Sequence, residues 1–191
     1  ALPPQIGELA SLTKLDISLN ALSTLPAEIS GLASLRILFS LGNRFETIPT
    51  VLSSLPKLYM LSFKSNQLTH IPEDALAPTI EWLILTDNKL TTLPRSIGRC
   101  PVRKLMLTNN RLGRLPDELA QCRSLEMIRL ADNRLEALPL SAPWPSLRLL
   151  QLSHNALRAL DVRGCCGLLE LVAPHNALRA LPAGACELPR L

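Results

Sequence analysis

The sequence predicts an α/β fold: a curved, right-handed solenoid with short parallel strands on its concave face and short helical or extended segments on its convex face. Three observations predict it. Asparagines recur at Asn20, Asn43, Asn66, Asn88, Asn110, Asn133, Asn155 and Asn176, spaced 21 to 23 residues apart. The same apolar frame surrounds each of them, most cleanly in LTKLDISLNALSTLPAEISGLAS (12–34) and VRKLMLTNNRLGRLPDELAQCRS (102–124). That frame, L-x-x-L-x-L-x-x-N-x-L-x-x-L-P-x-x-I/L-x-x-L, joins an alternation of period two to apolar residues three apart after a proline. The first is a strand pattern and the second a short helical turn. A chain-long period of this size means stacked units, none of which buries its own apolar face alone.

Each slot has a physical reason. The L-x-L segment makes a short strand, and strands of successive repeats pair in parallel at about 4.8 Å. The turn after each strand leaves backbone polar groups inside, and the inward Asn carboxamide offers them both a donor and an acceptor. The eight asparagines therefore read as a structural ladder. The L-P step starts a convex turn with proline at its first helical position, and the two apolar residues that follow point back to the core. Full copies start at Leu12, Leu35, Leu58, Ile80, Val102, Leu125, Leu147 and Leu168. The chain thus reads as one domain over 1–191: a partial repeat (1–11), eight repeats (12–190) and a truncated ninth from Leu191. Neither end looks like a cap for the exposed core, so a piece of a longer protein is expected.

Departures from the frame make their own predictions. Ser40 takes a core leucine slot while its neighbours Phe39 and Leu41 are apolar; keeping Leu38 and Asn43 in place requires the register to hold. Ala173 replaces another core leucine and suggests looser packing towards the C-terminal end. LPLSAPWPS (138–146) has too many prolines for a helix and should run extended. In the seventh repeat Asp161 stands where proline is expected, followed by GCCG (164–167).

Composition bounds the function. Apolar residues make up 47% and charged ones 19% of the 191 residues, which is a folding composition. The net charge of +4 comes from basic residues scattered singly, with no Lys/Arg run of the kind that marks a nucleic-acid site. No apolar stretch reaches the length of a membrane span. Nucleic acid and membrane insertion are therefore not expected. Five cysteines, an odd number in a chain of this size, do not make a secreted disulfide framework.

The motifs for chemistry are missing: there is no phosphate-binding loop, GxGxxG, HExxH, CxxC or GxSxG, and the S-x-x-K of Ser11 and Lys14 straddles two repeats. No catalytic residue, cofactor or metal is expected. Stacking makes columns more informative than linear motifs. The slot before the ladder Asn holds Asp87, Asn109, Asp132, His154 and His175, which are metal-ligand types; residues two repeats apart lie roughly 10 Å apart at the backbone, so the column converges poorly and reads as a solvated edge. Cys100 and Cys122 share a core slot in adjacent repeats, and Cys165 and Cys186 another; each pair is within reach of a disulfide, and buried free thiols are the commoner outcome in a reducing compartment. Arg44, Lys89, Arg111 and Arg134 follow the ladder Asn, with Arg114, Arg158 and Arg179 nearby, as a basic rim.

The outward strand positions carry the stronger signal. Repeats two to six place Ile37, Phe39, Leu41, Met60, Trp82, Ile84, Met106 and Met127 there, including all three methionines of the chain. A contiguous apolar patch marks an interface where scattered hydrophobes do not. Lys104 and Arg129 interrupt the patch and are placed to pair with acids of a partner. Trp82, near its centre, is the expected hot spot.

The whole frame resembles the leucine-rich repeat superfamily, in the L-P-x-x-I-x-x-L variety found in intracellular scaffold and Ras-pathway proteins. Residues 62–135, with SFKSNQL, IEWLILTDNKLTTLPRSIG, KLMLTNNRL and LPDELAQCRSLEMIRLADNRL, resemble the repeat region of bacterial and plant or algal leucine-rich-repeat protein kinases. The kinase elements V-A-I-K, H-R-D and D-F-G do not occur in these residues, so any kinase lies elsewhere in the parent chain. The resemblance implies protein binding on the concave face, which carries over to Met60, Trp82, Ile84, Met106, Met127 and Arg129, and an intracellular, cytoplasmic location. Two functions stay open: a recognition module of a signalling protein that binds a protein or peptide, or a structural subunit packed permanently in a large assembly.

Overall fold

The computed structural model describes residues 1–138 and 144–185. Its framework is a single sheet of eight parallel strands in chain order: β1 (Lys14–Asp16), β2 (Ile37–Phe39), β3 (Met60–Ser62), β4 (Trp82–Ile84), β5 (Lys104–Met106), β6 (Met127–Arg129), β7 (Leu149–Gln151) and β8 (Glu170–Val172). Each strand pairs with the next without a slip, so Lys14, Ile37, Met60, Trp82, Lys104, Met127, Leu149 and Glu170 form one column. The coil of one repeat returns the chain to the sheet beside the strand it left. This is the expected solenoid.

Side chains alternate across each strand. The central residues, Leu38, Leu61, Leu83, Leu105, Ile128 and Leu150, are fully buried in a core that runs unbroken along the stack. Ser40 is also fully buried, so the register holds at the second repeat. The Phe45 and Phe63 rings, both fully buried, meet edge to face at 5.0 Å and supply bulk beside the short serine. Trp144 is buried too, its indole N–H donating to the Leu119 carbonyl (3.2 Å). Towards the C-terminal end Leu171 and Ala173 are half-buried and Leu181 is 79% exposed.

The asparagine ladder works between repeats. From Asn43 to Asn176, each side-chain amide donates to the carbonyl of the residue just after the strand of the preceding repeat, as Asn88 does to Phe63 (2.9 Å) and Asn110 to Leu85 (3.0 Å). Each Oδ1 accepts a backbone N–H from the preceding turn, as Asn88 does from Leu68 (2.9 Å). Asn43, Asn66, Asn88, Asn110 and Asn133 are buried, while Asn155 and Asn176 are half-buried. Asn20 corrects the expectation of a ladder buried along its whole length. It is exposed and its amide donates only to Ile17 and Ser18 of its own turn, because no strand precedes β1 in the described sheet.

The convex side carries 3-10 turns at Pro4–Glu8, Ala27–Gly31, Thr50–Ser54, Arg95–Arg99 and Asp117–Gln121. Pro26, Pro49, Pro94 and Pro116 cap these turns one residue earlier than expected, with φ of −62 to −70° and ψ of 127 to 151°. The ring fixes φ at a value the turn accepts while ψ stays extended, so proline closes the preceding segment and does not itself enter the turn. The proline-rich stretch expected to run extended lies largely outside the described residues, at 139–143. Asp161, in a proline slot, instead bridges to Ala183 and accepts the Arg163 backbone N–H (3.0 Å) together with its guanidinium. That pairing holds the Asp161 carboxyl down at about 2.

Candidate functional site

The outward face of the sheet brings together the residues expected there. Met60, Trp82 and Lys104 stand side by side in one column, and Ser62, Ile84, Met106 and Arg129 in the next. Adjacent parallel strands lie about 4.8 Å apart, so these side chains shelter one another. Ile37, Phe39, Leu41, Met60, Trp82, Ile84, Lys104, Met106 and Met127 are all half-buried; Arg129 is exposed.

Trp82 is covered in part from within. The Lys104 ammonium sits 3.8 Å from the centroid of its ring, and Lys14 lies over Phe39 at 5.2 Å in the same way. A cation over an indole face is attracted by the ring quadrupole, and the lysine stem shields apolar surface while its head stays wet. Trp82 is therefore half-buried without any partner, a cover that the outward slot alone did not disclose. The large hydrophobics that stand exposed among the described residues lie elsewhere: Leu9 (51%) and Leu19 (79%) near one end, Leu169 (50%) and Leu181 (79%) near the other.

Two edges border this face. Along the one that leads into the strands, Arg36 stacks over Tyr59 (5.4 Å), and Arg103 joins Glu126 (Nε to Oε1, 3.0 Å) to Glu81 (3.9 Å). The hydrogen bond and charge of Glu126 push the Arg103 guanidinium pKa further up. Along the edge that leaves the strands, the residue before each ladder Asn has a positive φ, from 53 to 64° for Leu19, Gly42, Ser65, Asp87, Asn109, Asp132, His154 and His175. Left-handed backbone suits Gly, Asn and Asp, which explains the polar character of this slot. Asp87 accepts hydrogen bonds from Ser65 (3.1 Å) and Asn109 (2.9 Å), and the His154 and His175 rings stack at 4.2 Å. Arg44, Lys89, Arg111, Arg134, Arg114, Arg158 and Arg179 are exposed beyond it, and none of them makes an ion pair among the described residues.

Among the described residues no three His, Cys, Asp or Glu side chains converge as metal ligands. Cys100, Cys122 and Cys165 are buried free thiols and Cys166 is an exposed one; Cys186 lies outside the described residues. Burial pushes the Cys100 thiol up to about 11 and that of Cys122 to about 12. No described helix is long and apolar enough to cross a membrane.

A leucine rich repeat family model matches residues 78–135 and again 100–157. A leucine-rich repeat protein of Leptospira interrogans is 34% identical and superimposes on the whole chain with a TM-score of 0.94. The chain belongs to the leucine-rich repeat superfamily. It spans 50% of that leptospiral protein. A plant peptide hormone receptor, solved in complex with RGF2, is 30% identical over 92% of this leucine-rich repeat chain, with a TM-score of 0.81 and 30% of its own length covered. The Arabidopsis receptor kinase HAESA, solved with the peptide hormone IDA and the co-receptor SERK1, is 29% identical over the whole chain, with a TM-score of 0.82 and 34% of its length covered. No curated protein matches the chain.

Proposed function

We propose that this leucine-rich repeat chain is the recognition part of a larger signalling protein and binds a protein or peptide on the outward face of its sheet, without catalysis of its own. The observation that carries this reading is the continuity of the face: strand register sets Met60 beside Trp82 and Ile84 beside Met106, with Met127 on the far side of Lys104. A contiguous apolar surface with an aromatic at its centre is the composition of a binding hot spot. The two plant receptors with similar folds are themselves solved with peptide ligands, which supports the same use here. Buried thiols left unbridged in adjacent repeats support a reducing, intracellular setting.

A second reading, a structural subunit packed permanently in an assembly, has one observation behind it. Leu19 and Leu181 are each 79% exposed, near opposite ends of the stack, as if neighbouring protein covered them. The same exposure supports a single repeat domain continuing into a longer chain.

The test is affinity purification with the intact parent protein, comparing wild type with Ile84→Arg, which sets a charge amid the face. We expect partner recovery to fall at least about tenfold, as when a buried interface acquires an unpaired charge. Equal recovery by the two proteins would move the site off this face.

A further inference from the structure

We infer that the partner is an acidic segment, one that sets a carboxylate on Lys104 beside an apolar anchor resting on Trp82 and Ile84; this rests on the outward face being the binding site. The charges that interrupt the apolar part of the face, in repeats two to six, are Lys64, Lys104 and Arg129, and the outward strand positions of those five repeats hold no Asp or Glu; Asp16 and Glu170 lie in the first and eighth repeats. None of the three cations makes an ion pair among the described residues. Most bordering acids are already engaged: Glu81 and Glu126 by Arg103, Asp87 by hydrogen bonds from Ser65 and Asn109, and Asp16 by the Ser18 N–H. Asp132, exposed at the edge beyond Arg129, makes no such contact among the described residues, which leaves one acid against three cations. The face therefore offers unmatched positive charge inside an apolar surround.

That arrangement selects the partner by desolvation. A partner that covers Trp82 must also cover the Lys104 ammonium held 3.8 Å from its ring. A neutral or basic partner would strip water from this cation and return only the attraction of the indole face, which is weaker than the hydration it replaces. A carboxylate restores the lost interaction as a charge-assisted hydrogen bond, and Arg129, exposed on the next strand, offers a planar fork to a second one. Field lines from these cations run through little solvent next to the apolar wall, which strengthens the pairing and steers the approach. An acidic peptide fits better than nucleic acid, because the cations are few and the surface between them is aliphatic and sulfur-bearing with no basic track.

The experiment is a selection of random peptides displayed against the full chain at physiological salt. The strongest binder is then titrated as a labelled peptide, beside its counterpart with every Asp and Glu changed to Asn and Gln. The expected pool is enriched in Asp and Glu next to apolar residues. The amidated counterpart, and the Lys104→Gln, Arg129→Gln double variant with the original peptide, should each bind at least about tenfold more weakly. Peptides that Trp82→Ala abolishes but that ignore both changes would overturn the acidic partner and leave the face as the site. If no peptide is selected, or if binding persists in a folded Trp82→Ala variant, the outward-face reading itself falls. A random DNA oligonucleotide that displaces the peptide at similar concentration would contradict the proposal in favour of a general polyanion site.

Discussion

Two neighbouring columns of the sheet obey different rules. The inward one reads Leu15, Leu38, Leu61, Leu83, Leu105, Ile128, Leu150 and Leu171; the outward one beside it reads Lys14, Ile37, Met60, Trp82, Lys104, Met127, Leu149 and Glu170. From Leu38 to Leu150 the inward positions meet a close-packed interior whose volume is set by the coils on either side, so one branched aliphatic fits and little else does, while Leu15 and Leu171 at the two ends are half-buried. The outward positions meet only each other and solvent. Charge, aromatic and thioether are all accommodated there, and the chemistry that distinguishes this protein collects in that column. The uniform column carries the packing that stabilises the fold, and the recognition proposed above uses the varied one.

Adjacent residues make the contrast measurable. Leu105 is fully buried and Lys104 is half-buried on the opposite side of the same strand. Leu105→Ala is expected to cost about 2 to 5 kcal/mol in chemical denaturation, the range for a leucine removed from a packed core. Lys104→Ala should cost below about 1 kcal/mol, mostly its contact with the Trp82 ring. Similar losses for the two would erase the distinction.

The ladder offers a second contrast, between one slot in the middle of the stack and the same slot at its edge. Asn88→Leu leaves the buried Leu68 N–H without its acceptor and should destabilise by roughly 1 to 3 kcal/mol. Asn20→Leu removes only bonds within an exposed turn and should shift the unfolding midpoint far less. An unchanged melting temperature for Asn88→Leu would count against the ladder.

Thiol reactivity sharpens the contrast without touching the sequence. Brief alkylation of the native protein near neutral pH, read by peptide mass mapping, should modify exposed Cys166 and spare Cys100 and Cys122. Burial both blocks access to those two and holds their thiols at about 11 and about 12, so the reactive thiolate is scarce. Labelling of Cys122 as fast as Cys166 would show a core that opens readily.

What the sequence disclosed, and what it withheld, follows from the same physics. The period carries the register, because slots stacked 21 to 23 residues apart have to coincide. Ser40 could be kept in its core slot from the sequence because Leu38 and Asn43 fixed the frame around it, although the Phe45–Phe63 pair beside it was visible only in three dimensions. The membership of the outward face was legible for the same reason. Its surface was not: the placement of Lys104 over Trp82 depends on rotamers, which a slot pattern does not contain. Asn20 shows the other limit. The frame assigns it to the ladder, but burial of a slot depends on having a repeat before it. The left-handed turn at Asp87, Asn109 and Asp132 had a signal, the preference of short polar residues for positive φ, which the reading of that column as a solvated edge left unused.

The claim that recognition and stability lie on opposite sides of one strand meets its most direct test at Trp82. Trp82→Ala should be measured twice: for thermal unfolding, and for affinity towards the partner that the wild type recovers. The expected result is a fold weakened by about 1 kcal/mol, with binding weakened by at least about 2 kcal/mol. Undiminished binding, or a collapsed fold, would contradict the account.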